Sequence, residues 1–517
     1  MRPVARTMFS GMQKPVRHAT TLSGGAQPET PAMDLLPTLQ QLSVRLERLV
    51  VTDEMSWARA SKLVEQIHQA ARSNAASLLR EYVVGTQRPE DPRNEQIWST
   101  VTDYLDQLVH GYQWCLERCE TDAASGKACA STLAPVAGNA IRACAARLKW
   151  AYLRYDPVVP VQWQALMRIF VLAERAEVAG EAFVVPEVVA SSSTAEQEFV
   201  KTLVLAASSP GGLRPPQLEV AERLIERCGS HLALTRQSLE PVRYFIDLTA
   251  TGGPQRLLPS QQLPGAGRVI VLSGAVATLQ QLVADLDDGA LTPPDLGLDP
   301  HCRPELVRST ARHLLRYWSP PSLERCHTRS RDALRVAVVR DFDEVAAKVV
   351  GAKPKSLSGS AEEHWVVEDH SAGGLLALLS HRQGRRIEAG ALIAFRYPNL
   401  AAWHAGIVRR VQRQDQETRR VGIKKLTTEI SGVILAFRFR READERPSSI
   451  VGMFLVDTSA AVDQVTLLLP TGTFSPSVPL EMRVGSRDDL LIPQELIESG
   501  RDYQIARYKR LPQRVGD

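Results

Sequence analysis

The spacing of apolar residues changes once along this chain, and that change limits what it can fold into. From Met33 onward apolar side chains recur at every third or fourth position for about two hundred residues, the spacing that gathers them on one face of an α-helix. Leu35, Leu36, Leu39, Leu42, Leu46 and Leu49 carry the pattern first, then Leu63, Ile67, Ala71 and Leu78, then Ile97, Val101, Tyr104, Leu105 and Leu108. Further helices are predicted over 133–153, ended by Pro157 and Pro160, and around 163–173, 199–207 and 218–225, because proline cannot continue a helix and restricts the residue before it. Short polar loops separate these segments, as expected of a helical bundle or a helix-hairpin array. No regular period of about 34 residues supports a tetratricopeptide solenoid.

A connecting region follows. Residues 244–248 and 268–272 read as strands, 276–286 as a helix, and 306–318, with Arg308, Arg312 and Arg316, as a basic amphipathic helix stopped by Ser319-Pro320-Pro321. From Leu334 the apolar period becomes two or the runs become short, the pattern of a half-buried sheet. Candidate strands are 334–339, 365–367, 375–379, 392–396, 403–411, 421–426 and 432–439, and their near-regular spacing predicts a small barrel. A helix at 342–350 and a flexible segment at 351–363 are expected as an insertion. Beyond 431 we predict strands at 451–456, 465–469, 480–484 and 503–508 and a helix at 491–499. The resulting division is a disordered basic tail (1–32), a helical domain (33–238), a small α/β connecting region (239–320), a barrel (321–430) and a β-rich C-terminal module (431–517).

Charge shows where an anionic partner would go. The net charge of +4 is uneven, since residues 301–430 hold 23 Lys and Arg against 14 Asp and Glu. Seven scattered cysteines form neither a disulfide scaffold nor a zinc set, so no metal site is expected and a reducing cytoplasmic location fits. No run of about 18 apolar residues occurs, so no membrane span is expected.

Two motifs lie in the basic region. The first is Arg325-Cys-His-Thr-Arg329-Ser-Arg331-Asp-Ala-Leu-Arg335, directly before a strand. Guanidinium groups bond phosphate and the O6/N7 edge of guanine bidentately and stack flat on bases. The second is Glu368-Asp369-His370-Ser371-Ala372-Gly373-Gly374, a strand running into a tight polar turn. Asp accepts and Ser donates or accepts hydrogen bonds, and glycine takes φ > 0 without a Cβ clash, so backbone can approach a ligand closely. The competing structural reading is that the arginines cap the helix ending at Trp318 and pair with Glu324 and Asp332, and that the turn is an ordinary hairpin.

The order Arg325-x-x-x-Arg329, strand, Asp369-x-Ser371-x-x-Gly374, followed by 390–395, 404–410 and 420–426 as later strands, resembles the PilZ domain, a bacterial receptor module for cyclic di-GMP. The resemblance spans roughly 322–430. It implies a six-stranded antiparallel barrel in a multidomain α+β chain. In it Arg325 and Arg329 would contact phosphates and guanine faces, Asp369 and Ser371 a guanine edge, and Gly374 would permit close approach. Arg331 and Gly373 are secondary candidates, since Arg331 and Arg335 also form Arg-x-x-x-Arg. Cyclic di-GMP is then a ligand, not a catalytic cofactor, and the helical region is an output or partner-binding surface for another protein.

Three other readings stay open. One is a scaffold whose degenerate barrel binds no nucleotide. A nucleic-acid-binding barrel is not favoured, because Trp365, Phe395, Tyr397 and Trp403 are scattered among apolar runs and read as core. An enzyme is not expected, because no phosphate-binding loop, His-Glu-x-x-His or nucleophile elbow occurs, and His364 and His404 have no evident catalytic partner.

Overall fold

The computed structural model describes residues 35–51, 55–86, 91–121, 126–185, 192–237, 244–257, 261–319, 328–331, 334–353, 362–380, 387–415, 417–427, 429–437, 449–456, 463–484 and 487–512. The expected tail at 1–32, Arg325 and most of the segment expected to be flexible at 351–363 lie outside them. The multidomain α+β architecture is as expected, with helices first and a six-stranded antiparallel barrel after them; the β-rich C-terminal module proves to be a second closed six-stranded antiparallel barrel.

The helical part runs α1 (Leu35–Val51), α2 (Trp57–Gly85), α3 (Pro92–Thr121), α4 (Gly126–Leu153) and α5 (Pro160–Arg175), then a small hairpin of β1 (Ala182–Val184) and β2 (Ser192–Thr194), then α6 (Ala195–Ala207) and α7 (Pro215–Arg227). The three-and-four spacing does what it predicts. Leu39, Leu46, Val64, Leu78, Tyr104 and Leu108 are all buried in one shared core. Proline opens α3, α5 and α7, where its missing N–H costs nothing, and Thr194 caps α6 by accepting from Gln197 N at 3.1 Å. No helix among the described residues is long and apolar enough to cross a membrane.

Four short strands, β3 (Ala233–Thr235), β4 (Tyr244–Asp247), β5 (Gln255–Arg256) and β6 (Gly267–Val271), form an antiparallel sheet in the order β3-β6-β4-β5. After it come α8 (Ser273–Asp287) and α9 (Pro304–Trp318). These helices join the helical core, and Trp318 donates its indole N–H to Ser208 Oγ at 2.8 Å. The basic face of α9 is partly used up: Arg308 pairs with Asp287 at 2.6 Å and donates to Leu286 O at the end of α8, where a helix favours positive charge.

The first barrel comprises β7 (Leu334–Arg340), β8 (Glu363–Ser371), β9 (Gly374–Ser380), β10 (Leu392–Arg396), β11 (His404–Arg413) and β12 (Thr418–Lys425), ordered β10-β11-β12-β9-β8-β7. The inserted helix α10 (Phe342–Val350) falls between β7 and β8 and ends at Gly351, whose φ of +70° is the left-handed cap glycine tolerates best. The second barrel comprises β13 (Ile430–Phe437), β14 (Ser449–Leu455), β15 (Gln464–Pro470), β16 (Leu480–Val484), β17 (Arg487–Ser499) and β18 (Tyr503–Pro512). Two expectations are corrected here. The strand expected at 432–439 belongs to this second barrel as β13, and the helix expected at 491–499 is part of strand β17. Bulges at Pro493/Glu495 and Leu496/Glu498 each add a residue to the period of two, which lends the apolar positions of β17 a helix-like spacing.

The far end of the first barrel is closed by a helical-domain residue. Tyr155, just past α4, has a left-handed φ of 61° and is buried in the barrel core with Val336, Trp365 and Val408. Its hydroxyl accepts from Ala389 N at 3.3 Å, its carbonyl accepts from Arg413 N at 2.7 Å, and neighbouring Asp156 pairs with Arg413 at 3.2 Å.

The two barrels meet through α10 and a polar seam. Phe342, Val345 and Ala346 share a buried cluster with Leu392 and Ile407 of the first barrel and Met453, Leu468 and Tyr503 of the second. Arg409 holds Glu498 in a two-bond ion pair at 2.5 and 2.8 Å, and Leu392 N donates to Asp502 Oδ1 at 3.1 Å. Burial pushes the Asp502 carboxyl up to about 6, with Asp341 adding to the effect. A carboxyl whose pKa is higher folded than unfolded contributes stability at low pH that is lost as pH rises through about 6. Asp502→Asn, which keeps an oxygen for Leu392 N, is therefore expected to raise the melting temperature at pH 8, by the equivalent of about 2 kcal/mol or less, and to give no gain at pH 4. Thermal melts at the two pH values check this.

Candidate functional site

The conspicuous polar groups of the first barrel sit at the end opposite Tyr155, where β8 turns into β9. A bulge between Val367 and Asp369 fixes which way they face. Trp365 and Val367 point into the core and are fully buried, so strict alternation would send Asp369 inward as well. The extra residue reverses the parity. Asp369 turns outward toward the arm, and His370 turns toward the barrel mouth, where its ring lies 6.1 Å from that of Tyr397.

The arm continues the line of β7 along β8. Ser330 N donates to His370 O at 2.9 Å and His370 N donates to Ser330 O at 3.0 Å. This pairing presents Arg329 to Asp369, and Arg329 Nη1 donates to both carboxylate oxygens at 2.6 and 2.7 Å, across forty residues of sequence. Among the described residues Arg329 thus pairs with Asp369; Arg325 and the alternative partners, Glu324 and Asp332, lie outside them. Arg331 is exposed and makes no ion pair among the described residues. Next to the site Arg420 donates to Glu368 at 2.9 Å, and that hydrogen bond raises the pKa of the Arg420 guanidinium further.

The turn is built by space, not by unusual dihedrals. Neither Gly373 nor Gly374 has a positive φ. A Cβ on Gly374 would instead lie 2.3 Å from Ile423 O of β12, far inside contact distance. The close approach that glycine permits here is that of the neighbouring strand. Ser371 Oγ donates to Gly374 O at 3.3 Å across the turn, and Gly373 O accepts from Lys425 N at 3.0 Å. Arg329, Asp369, Ser371, Gly373 and Gly374 therefore converge at one edge of the barrel.

Residues that no local motif reveals complete this end. Tyr397 follows β10, His404 opens β11 and Lys425 closes β12, and their rings and charge meet around the mouth. Tyr397 lies 5.8 Å from Phe395 and 6.0 Å from His404, and Lys425 Nζ lies 5.2 Å from the centre of the Tyr397 ring. Desolvation, assisted by the Lys425 charge, lowers the pKa of His404. The reading of the barrel aromatics as core holds for Trp365 and Phe395, which are fully buried, and not for Tyr397 and Trp403, which are half-buried at the surface. Their only sequence signal was position at strand ends.

A site of this kind can take a planar anionic ligand. It offers a guanidinium, a carboxylate, a serine hydroxyl and a set of rings around Lys425, which makes no ion pair among the described residues. No curated relative matches the chain. A family model described as the cyclic-di-GMP receptor FimW, N-terminal domain, matches residues 27–238, the stretch that holds α1 to α7 and lies wholly outside the two barrels.

Proposed function

We propose that this chain is a non-catalytic regulatory protein that binds cyclic di-GMP through its first, PilZ-like barrel. Arg325, Arg329, Asp369, Ser371 and Gly374 would form the binding edge, with Arg331 and Gly373 beside them. The helical region of 33–238 would be the output or protein-binding surface, the 239–320 region the connection, 321–430 the sensor barrel and 431–517 its C-terminal companion. The observation that carries this reading is the Arg329–Asp369 pair, in which Arg329 Nη1 bridges both carboxylate oxygens. On Arg329 the carboxylate occupies the position a phosphate would take, and on Asp369 the guanidinium occupies the position of the N–H donors of a guanine edge. A guanine nucleotide with a phosphate could replace each partner with one of like chemistry. The match of the helical segment to a cyclic-di-GMP receptor's N-terminal domain supports the same ligand from an independent part of the chain. Buried free thiols at Cys115, Cys144 and Cys228 fit a reducing cytoplasm.

Isothermal titration with cyclic di-GMP tests the proposal. Saturable binding is expected, and Arg329→Ala should weaken it by about tenfold to a hundredfold, the range of a lost charge-assisted hydrogen-bond pair. A second reading, a scaffold whose barrel takes no nucleotide, draws on the same pair, because Arg329 and Asp369 already satisfy each other. Absence of heat with the unmodified protein would favour that reading.

A further inference from the structure

The mouth of the first barrel holds two polar groups that the Arg329–Asp369 edge does not use. The Tyr397 hydroxyl is buried from solvent and has no hydrogen-bond partner among the described residues. Lys425 Nζ lies 5.2 Å from the centre of the Tyr397 ring and 6.0 Å from that of Phe395, and it makes no ion pair or side-chain hydrogen bond among the described residues. An unpaired phenol inside a protein costs on the order of 1–3 kcal/mol if left unmet, and an ammonium held only against ring faces keeps all three of its donors available. Lys425 sits against the turn itself, because its backbone N–H bonds Gly373 O, and the Tyr397 ring lies 6.1 Å from that of His370 beside the turn. The bulge at 367–369 that turns Asp369 toward the arm turns His370 toward this same mouth.

Resting on the reading of the barrel as a cyclic di-GMP sensor, we infer that Lys425 and Tyr397 form a base-selecting subsite. There the Lys425 ammonium and the Tyr397 hydroxyl donate to the O6/N7 edge of one guanine, flanked by His370 and His404. The chemistry chooses the base. Guanine presents two acceptors on that edge, whereas adenine presents one acceptor and an amino donor that a lysine repels. Arg329 and Asp369 would then set affinity for the dinucleotide, and Lys425 would set which dinucleotide is taken. His404 supports this role, since a ring kept neutral adds no positive charge beside the lysine.

Titration of the full chain with cyclic di-GMP and with cyclic di-AMP tests the subsite. The unmodified protein should prefer the guanine form. Lys425→Met should weaken cyclic di-GMP by about tenfold while changing cyclic di-AMP by about twofold or less, and Tyr397→Phe should weaken cyclic di-GMP by about threefold. Lys425→Arg, which keeps the donors, should retain the preference and serves as the folded control if the methionine variant melts early. An unchanged ratio in Lys425→Met with an unchanged melting temperature overturns the subsite and leaves the sensor reading intact. Equal binding of both dinucleotides by the unmodified protein also overturns the subsite. Binding of neither overturns the sensor reading itself.

Discussion

Tyr155→Ala is expected to destabilise the protein by about 3–5 kcal/mol, the usual range for deleting a buried aromatic side chain. The ring closes the end of the first barrel remote from the arm, so its loss leaves a cavity lined by the barrel core and removes the hydroxyl that accepts from Ala389 N. The backbone makes the series diagnostic. At φ of 61° a residue with a Cβ is strained and glycine is not. Tyr155→Gly should therefore be less damaging than Tyr155→Ala by about 1 kcal/mol. Tyr155→Phe keeps the ring and should cost only about 1 kcal/mol, the value of one hydrogen bond. Urea unfolding followed by tryptophan fluorescence gives the order Phe, Gly, Ala. If alanine and glycine stood equal to phenylalanine, the ring would not be acting as a plug.

The second large effect is expected at the turn. In Gly374→Ala the new methyl would lie 2.3 Å from the Ile423 carbonyl oxygen, and that atom belongs to backbone with no freedom to swing aside. Pairing of Gly374 with Lys424 must open, at a cost of about 3 kcal/mol or more. Gly422→Ala on the same β12 strand is the control. Its nearest neighbour is the Arg410 Cβ at 3.7 Å, ordinary contact, so a change below about 1 kcal/mol is expected. Thermal melts of the two variants should separate clearly, and cyclic di-GMP titration of Gly374→Ala should show lost binding, because Asp369 and Ser371 are placed by the same hairpin.

How much of this was legible in the sequence depends on how local each signal is. The strands of the first barrel were readable because their apolar residues alternate over runs long enough to see, and α10 because Phe342, Val345, Ala346 and Val349 keep helical spacing. Strand β17 was misread because two bulges three residues apart destroy the alternation on which the reading rests. Arg329, Asp369, Ser371 and Gly374 were legible as two short motifs, and their meeting is a tertiary fact that the arm's pairing with His370 brings about. Tyr397, just past β10, His404 of β11 and Lys425 of β12 lie far apart in the chain and share no spacing. Tyr155 was hidden for another reason: it occupies a left-handed position where glycine would be expected, and only a barrel on the far side explains the exception.

The placement of α10 has a thermodynamic consequence for the whole C-terminal half. The helix is an insertion within the first barrel, yet its apolar face is buried by strands of both barrels, and Val350 touches Gly432 of β13 closely enough that a Cβ there would sit 3.1 Å away. The free energy of that burial cannot be assigned to either barrel. Removing one strips cover from a helix that the other also needs, so the two closed sheets are expected to open together as one cooperative unit. A chain divided between β12 and β13 would yield two unstable pieces, even though each barrel is complete in its hydrogen bonds.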